Sequence, residues 1–272
     1  MIKANAATKN PDTGKKLTCL QKSINFKKNA MIVKSRLKYI NSLGEKKLRD
    51  ADKVFIAEGP KIINELLGES SIEPQEIFAL KAWIEKNRNS YPVFTEVDEV
   101  MLGRLSFLTT PNQVIGLFRM PDRGPLMLKN KISIVADGIQ DPGNLGTIVR
   151  CADWFGVEQV ICSRDSADIF NPKTVQSTMG SIARVKVYYE DLPALLLSQK
   201  EVPVYAATLE GKNIRDVDPV REGVIVIGNE SKGISNEILA LVKEKITIEK
   251  KGKAESLNVS VATGIILSYL TR

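Results

Sequence analysis

The feature that most restricts the fold is a regular alternation of short apolar segments with helical segments in the second half of the chain. The apolar segments are Ile132–Ala136, Gln159–Cys162, Val185–Tyr189, Val202–Thr208, Val224–Ile227 and Ile246–Ile248. An amphipathic helix is predicted over Leu145–Phe155, and helical stretches separate most of the other segments. Short apolar strands that alternate with helices are typical of a parallel sheet covered on both faces. Residues 131–272 are therefore predicted to form an α/β unit with a largely parallel sheet.

A second, smaller α/β unit is predicted over residues 31–122. A basic helix is expected over Ser35–Arg49, and Pro60 suits the first turn of a helix that follows the strand Val54–Ile56. Further strands are expected at Ile77–Leu80, Val93–Phe94 and Val114–Phe118. The turn-forming residues Met120–Pro125 are predicted to link the two units.

Composition excludes several classes of protein. The chain has no histidine, which excludes His-based catalytic triads and zinc sites with histidine ligands. Cys19, Cys151 and Cys162 are odd in number and lack metal-ligand spacing, so reduced thiols in a cytoplasmic protein without a metal are expected. No apolar run approaches the ~18 residues of a transmembrane helix, and the basic N-terminal segment lacks the apolar region of a secretory signal. No membrane association is therefore expected.

The net charge of +7 is unevenly distributed. Residues 1–30 carry +6, residues 31–130 carry +2 and residues 131–272 carry −1. The first segment is polar and lysine-rich and is predicted to be a flexible basic extension. Such an extension is compatible with simple solvation and with an RNA-binding arm, so charge alone does not identify a partner.

The first candidate loop, Asp137–Arg150, leads from a strand into a helix. Its glycines permit close backbone approach, and Asn144 is expected to cap the helix. Asn144 and Arg150 are six residues apart, so their side chains do not stack directly on a helix. Without further context, an ordinary strand–helix turn with a structural arginine is the alternative.

The second candidate loop follows the apolar strand in Val224–Ser235 and contains Gly-Asn-Glu. At the carboxyl edge of an α/β sheet, where ligands bind, it would present backbone amides and the Glu230 carboxylate. The phosphate-loop pattern is missing and an acid would repel a triphosphate, so a neutral or cationic ligand is expected. The alternative is a capping turn with a solvated Glu230.

The third candidate loop, in Lys253–Ile266, enters the C-terminal helix. Ser256 and Asn258 are suitable capping residues, and the apolar stripe that follows them is interpreted as core. From the residues alone, both side chains are open to a capping or a catalytic role.

In this order and at these separations, the three loops resemble the signature motifs of the SpoU (TrmH) family of RNA 2′-O-ribose methyltransferases, in the SPOUT superfamily. The first family motif carries an Asn and a catalytic Arg at the spacing of Asn144 and Arg150. The second motif is matched at Gly228–Ser235, and the third, Ser-Leu-Asn-Val-Ser-Val-Ala, is present unchanged at Ser256–Ala262. Phe55–Pro60 looks like part of the small substrate-binding module that often precedes this catalytic domain.

The resemblance implies a deep trefoil knot within residues 131–272 and an obligate homodimer with active sites at its interface. It also implies that S-adenosylmethionine binds mainly through backbone groups of three loops. By position, the residues that would bind it are Leu209, Gly211, Ile227, Gly228, Ile248 and Leu257.

The implied reaction is S-adenosylmethionine-dependent 2′-O-ribose methylation of RNA, with 23S ribosomal RNA as the expected substrate and tRNA as the alternative. Arg150 would be catalytic, Asn144, Ser256 and Asn258 would orient Arg150 and the ribose, and Glu230 would order the second and third loops. A free guanidinium has a pKa above ~12 and is a poor base, so a base and a positioning group both remain open for Arg150.

The small unit, residues 31–122, would bind the RNA substrate. Its basic residues around Glu45 are expected to add RNA affinity: Lys34, Arg36, Lys38, Lys46, Lys47 and Arg49. A non-catalytic RNA-binding or ribosome-assembly protein that keeps the fold is the alternative class, but such a protein would not need the intact motif set. A nicotinamide-dependent oxidoreductase is excluded because a Gly-x-Gly-x-x-Gly turn with a following acid is missing.

Overall fold

The computed structural model describes residues 34–87, 94–199 and 201–271. The predicted basic extension over residues 1–30, with Cys19, lies outside the described residues, as does Val93. Within the described ranges, no helix combines the length and apolar character needed to cross a membrane.

The first unit contains a four-stranded sheet in which the central strand β4 pairs antiparallel with both β1 and β2. The strands are β1 Val54–Glu58, β2 Pro74–Ala79, β3 Thr95–Glu96 and β4 Val114–Arg119, in the order β1-β4-β2-β3. The helices are α1 Lys34–Ser42, α2 Lys46–Asp52, α3 Pro60–Gly68, α4 Lys81–Asn87 and α5 Glu99–Leu105. Pro60 opens α3 at its first position, as the sequence predicts, because a helix start needs no N–H there.

The prediction of one helix over Ser35–Arg49 is wrong. The chain turns after Ser42 and helical structure resumes at Lys46. At Gly44 a Cβ would lie 2.9 Å from a ring carbon of Phe107, so the close approach of this ring needs a glycine, which also weakens a helix. After the turn, Arg49 points into the interior and is only 1% exposed. Arg49 therefore does not belong to a basic surface.

The second unit contains a six-stranded sheet in which all neighbouring strands are parallel. The strands are β5 Ile132–Asp137, β6 Gln159–Ser163, β7 Lys186–Glu190, β8 Val204–Asn213, β9 Gly223–Gly228 and β10 Glu244–Thr247, in the order β10-β8-β9-β5-β6-β7. The helices are α6 Pro142–Trp154, α7 Pro172–Thr178, α8 Leu192–Ser198, α9 Asn236–Leu239 and α10 Val259–Leu270. The predicted mixed α/β fold with a parallel sheet is confirmed.

The strands of this sheet are apolar throughout because both faces are covered. In β5, Ile134 and Ala136 pack in the same apolar cluster as α6 and α10, whereas Val135 packs on the other face with α8 and α9. Burial on both faces explains why the six segments are recognisable in the sequence as short continuous apolar runs.

The two units pack against each other through a continuous apolar core. The ring centroids of Phe55 in β1 and Phe170, just before α7, lie 5.2 Å apart. Beside them, a guanidinium nitrogen of Arg49 lies 2.6 Å from the Asp168 carboxylate. At Gly180, which has a φ of +98°, a Cβ would lie only 2.6 Å from the Cβ of Glu65, so this contact also requires a glycine.

Candidate active site

The three candidate loops meet at the carboxyl edge of the parallel sheet. Strands β5 and β9 are neighbours, and their last residues, Asp137 and Gly228, are paired in register. The third loop follows β10 and enters α10. The carboxyl edge is where open α/β sheets bind ligands, so the motifs lie where a ligand site is expected.

The first loop ends at the cap of α6, and the capping residue is Asp141, not Asn144 as predicted. The Asp141 carboxylate accepts a hydrogen bond from the backbone N–H of Asn144 at 2.8 Å, and Pro142 occupies the first helical position. This hydrogen bond is the main reason that the pKa of Asp141 lies below its usual value, and Lys173 lowers it further. An Asp directly before a Pro is a typical helix start, so the sequence carried the signal for the true cap.

Because Asp141 caps the helix, the side chain of Asn144 is available for other contacts, and it joins all three loops. The Asn144 amide donates to the Glu230 carboxylate at 2.5 Å. Its carbonyl oxygen accepts a hydrogen bond from the Asn258 amide at 2.9 Å. The side-chain oxygen of Asn258 in turn caps α10 by accepting from the N–H of Ser260 at 2.9 Å. One hydrogen-bonded chain, Glu230–Asn144–Asn258, thus links residues from three separate parts of the sequence.

Further hydrogen bonds hold the second loop against the first. Asn229 donates through its side-chain amide to the carbonyl of Gly138 at 2.7 Å. The Asp137 carboxylate accepts from the backbone N–H of Ser235 at 2.7 Å. Asn229 and Asp137 are not among the predicted site residues, although their positions at the ends of adjacent strands indicate a role at this edge.

Two positions of the second loop must be glycine because the backbone there leaves no room for a side chain or has a positive φ. Asn229 and Gly233 exchange two backbone hydrogen bonds of 3.0 and 2.9 Å, which closes the loop tightly. A Cβ on Gly228 would lie 2.3 Å from the Gly233 backbone, so no side chain fits there. Gly233 has a φ of +70°, a conformation that favours glycine.

Arg150 and Ser256 stand apart from this hydrogen-bonded chain. Both are exposed, and within the described residues neither forms a hydrogen bond or an ion pair with another side chain. Arg150 lies on α6 next to Cys151, whose sulfur is 3.8 Å from the carbonyl oxygen of Ser260 at the start of α10. Burial raises the pKa of the Cys151 thiol, so this cysteine is not an activated nucleophile.

The predicted donor-binding residues lie at the carboxyl ends of three adjacent strands. Leu209 and Gly211 lie in the second half of β8, at the point where the pairing of β8 with β10 shifts in register. Ile227 and Gly228 end β9, Ile248 follows β10, and Leu257 lies just before α10.

The chemistry of these residues fits an adenosyl group. Leu209 and Leu257 are large apolar side chains that are 74% and 48% exposed, at an edge that otherwise presents polar loops. A Cβ on Gly211 would lie 2.6 Å from the carbonyl of Lys245, so glycine lets the β8 and β10 backbones approach closely. Exposed apolar side chains beside accessible backbone amides and carbonyls suit a planar, polar-edged ring such as adenine.

Two family models match the chain in adjacent regions. The SpoU rRNA Methylase family matches residues 131–268, and the MRM3-like substrate binding domain matches residues 34–116. The first match contains the whole parallel sheet, and the second contains β1 to β3 and part of β4.

The chain is also similar over most of its length to individual proteins. It is 29% identical over 238 residues to the Bacillus subtilis 23S rRNA (guanosine(2553)-2′-O)-methyltransferase RlmP, covering 86% of this chain and 95% of that protein. A putative RNA methyltransferase of the TrmH family from Porphyromonas gingivalis has a similar structure, with a TM-score of 0.79, 34% identity and coverage of 89% and 98%. An AdoMet-bound rRNA methyltransferase from Sinorhizobium meliloti matches with a TM-score of 0.73, 29% identity and coverage of 86% and 93%.

Proposed function

The chain belongs to the SpoU rRNA methylase family, and we propose that its substrate is 23S ribosomal RNA. It is an RNA 2′-O-ribose methyltransferase that uses S-adenosylmethionine as methyl donor. The choice of 23S RNA is supported by the similarity to RlmP, which extends over both units. The single observation that carries the assignment of the site is the Glu230–Asn144–Asn258 chain, which joins the three motifs.

Each motif side chain has a proposed role. Asn144 and Asn258 hold the first and third loops in register, and Glu230 fixes the second loop to them. Arg150 has no partner in the described residues, so its guanidinium is available to the ribose 2′-hydroxyl. Ser256 is likewise exposed and lies directly before the proposed donor-binding residue Leu257, so its hydroxyl can orient the ribose.

The reaction requires an in-line approach of the ribose 2′-oxygen and removal of its proton. S-adenosylmethionine supplies an electrophilic methyl group when bound, held by Leu209, Gly211, Ile227, Gly228, Ile248 and Leu257. A guanidinium carries five N–H donors and no acceptor, so Arg150 acts by orienting the 2′-hydroxyl and stabilising the negative charge that develops on its oxygen. Within this proposal the proton passes to a neighbouring RNA phosphate or to water.

We propose that the C-terminal helix completes a trefoil knot. The backbone N–H of Val220, in the connection between β8 and β9, donates to the carbonyl of Leu270 near the end of α10 at 2.8 Å. Helix α10 also packs against α6. The last helix thus contacts two segments that precede it by many residues, and such contacts support the proposal of a knot.

We also propose a homodimer, with the active site at its interface. Trp154 follows Arg150 by one helical turn on α6 and is 83% exposed. Val261, on the adjacent α10, is 52% exposed. Large apolar side chains on the same side of the molecule as Arg150 are a surface that a second copy would cover.

The proposed division of labour assigns RNA binding to residues 31–122 and methyl transfer to residues 131–272. The match of the substrate-binding family model to residues 34–116 supports the first assignment. Among the predicted basic residues, Arg36 pairs with Glu76 and Lys46 pairs with Asp50, whereas Lys34, Lys38 and Lys47 form no ion pair among the described residues. We propose a cytoplasmic location on the strength of the similarity to a bacterial 23S rRNA methyltransferase.

The decisive experiment is to map 2′-O-methylated nucleotides in ribosomal RNA and tRNA from cells with and without this gene. We expect one nucleotide of 23S RNA to lose its methyl group and to regain it when the purified protein and S-adenosylmethionine are added. A loss confined to tRNA would overturn the 23S assignment. Sedimentation of the active protein as a monomer would contradict the proposed interface.

A further inference from the structure

We propose that the segment Lys250–Lys253 is a phosphate-binding loop that holds the substrate RNA next to the donor site. The inference rests on the proposed function, because it takes the ligand to be the RNA that the enzyme methylates. It assigns an RNA contact to the catalytic unit itself, in a segment that is separated by two residues from the third motif, Ser256–Ala262.

The position of the loop places it at the catalytic edge of the sheet. It follows β10 and begins two residues after Ile248, one of the proposed donor-binding residues. It leads within a few residues to Leu257 and Asn258, and Asn258 is hydrogen-bonded to Asn144. The loop thus lies between two proposed donor-binding residues, Ile248 and Leu257, which would place its cations next to the RNA backbone that flanks the target ribose.

The composition of the loop suits a polyanion. Lys250, Lys251 and Lys253 are all exposed, and Gly252 between them has open space around its Cα. Glu249, which precedes the loop, forms an ion pair with Arg215, with 3.3 Å between a guanidinium nitrogen and a carboxylate oxygen. On the other side, Glu255 is the one carboxylate before Ser256. Within the described part of the chain, none of the three lysines has an ion-pair partner.

Three unpaired lysines in four residues require an explanation in a unit whose net charge is −1. Other lysines of this unit are of both kinds: Lys131 and Lys173 pair with carboxylates, whereas Lys186 and Lys212 form no ion pair among the described residues. The loop differs from all of them in density, because no other stretch of four residues within 131–272 contains three lysines. Mutual repulsion of three adjacent ammonium groups is relieved by phosphate oxygens, and lysine binds phosphate as a point charge without a fixed geometry. RNA that enters the site brings several phosphates to this loop at once.

The test compares a triple variant, Lys250→Gln, Lys251→Gln and Lys253→Gln, with the unchanged full chain. The probe is unmethylated 23S ribosomal RNA from cells that lack the gene, and affinity is measured over a range of KCl concentrations. Each phosphate contact contributes roughly 0.7–0.9 to the slope of log affinity against log salt, so we expect the slope to become shallower by about 2. The single-turnover rate at saturating RNA and the donor affinity measured by calorimetry should stay as in the unchanged chain.

A matched control removes the same charge from the opposite edge of the sheet. Lys129, Lys131 and Lys186 lie at the amino-terminal ends of β5 and β7, and their replacement by Gln should leave the salt slope unchanged. An equal slope in the loop variant and the unchanged chain would overturn the inference, as would a loss of donor affinity, which would assign the lysines to the donor carboxylate. Failure of the proposed function has a different signature, since the unchanged chain would then methylate no 23S RNA.

Discussion

Arginines lie both at the contact between the two units, which we call the joint, and at the catalytic edge of the parallel sheet. They differ in how many hydrogen bonds and ion pairs each forms with the rest of the protein. At the joint, Arg49 is buried and donates to the carbonyls of Leu43 and Gly44, each at 2.7 Å, and to Asp168 at 2.6 Å. At the catalytic edge, Arg150 is exposed and has no such partner in the described residues. Arg49 is thus held by three hydrogen bonds inside the protein, although its buried Nε has no partner, whereas the guanidinium of Arg150 is available to a ligand.

A second arginine at the joint extends this comparison. Arg184 donates to Asp153 within its own unit at 2.8 Å, and to Glu65 and Glu69 of the first unit at 3.1 and 3.0 Å. These hydrogen bonds, led by the one to Asp153, raise the pKa of Arg184 above its ordinary value. By charge, Arg49 and Arg184 are the same as Arg150. The difference between them is that Arg49 and Arg184 have carboxylate partners within the protein and Arg150 has none among the described residues.

The largest effect is expected at the unpaired arginine. Replacing Arg150 with Ala should lower the single-turnover rate of methyl transfer about 10²–10⁴-fold, because the group that contacts the 2′-oxygen is lost. The measurement uses saturating RNA and donor, so weaker RNA binding alone cannot produce the loss.

Arg150→Lys is the matched control for this prediction. It should lose nearly as much activity, since a compact ammonium does not reproduce the planar guanidinium. Thermal unfolding and donor affinity should be unchanged in both variants. Recovery of a near-normal rate at saturating RNA would move Arg150 to a phosphate-binding role and leave Ser256 and Asn258 to be tested.

An opposite pattern is expected at the joint. Arg49→Met should lower the free energy of unfolding by about 3–5 kcal/mol, because it leaves the Asp168 carboxylate without its partner. Chemical denaturation measures the change. The variant Arg49→Met combined with Asp168→Asn should lose less than the sum of the two single losses. Strict additivity would show that the two side chains do not interact as the geometry indicates.

The smallest effect is expected for the solvent-exposed ion pairs that Arg184 forms with Glu65 and Glu69 across the joint. Replacing both Glu65 and Glu69 with Gln should destabilise the protein by less than about 1 kcal/mol, because ion pairs in contact with solvent are weak. Glu73→Gln, which removes an exposed pair with Arg119 inside the first unit, is the control. A loss as large as that of Arg49→Met would show that the ion pairs of Arg184 hold the units together as strongly as the buried pair of Arg49.

The elements that could be predicted are those whose signal is local. The strands of the parallel sheet begin and end within a few residues of the predicted segments, except that β8 continues to Asn213. Burial on both faces leaves a continuous apolar run that is visible without knowledge of the neighbours. The motif loops were likewise found in sequence, since each directly follows a strand or precedes a helix.

The errors arose where a partner is distant in sequence. Arg49 was assigned to a basic RNA-facing cluster because its neighbours are basic, yet its partner Asp168 is 119 residues away. The residues around Asn144 predict a helix cap, a role that Asp141 fills, and the side chain of Asn144 instead bonds Glu230 and Asn258, which are 86 and 114 residues away. Neither contact leaves a periodic or compositional trace.

The sequence by itself determined the parallel α/β architecture, the order of the three loops and the residue types that they carry, because hydrophobic periodicity and turn chemistry act over short stretches of chain. Only the tertiary structure decided which polar side chains are satisfied by the protein and which are left for a ligand. The physical reason is that hydrogen bonds and ion pairs are made between groups that packing brings together, regardless of their separation along the chain. Arg49 and Arg150 are the same residue type, and their surroundings in space give them different roles.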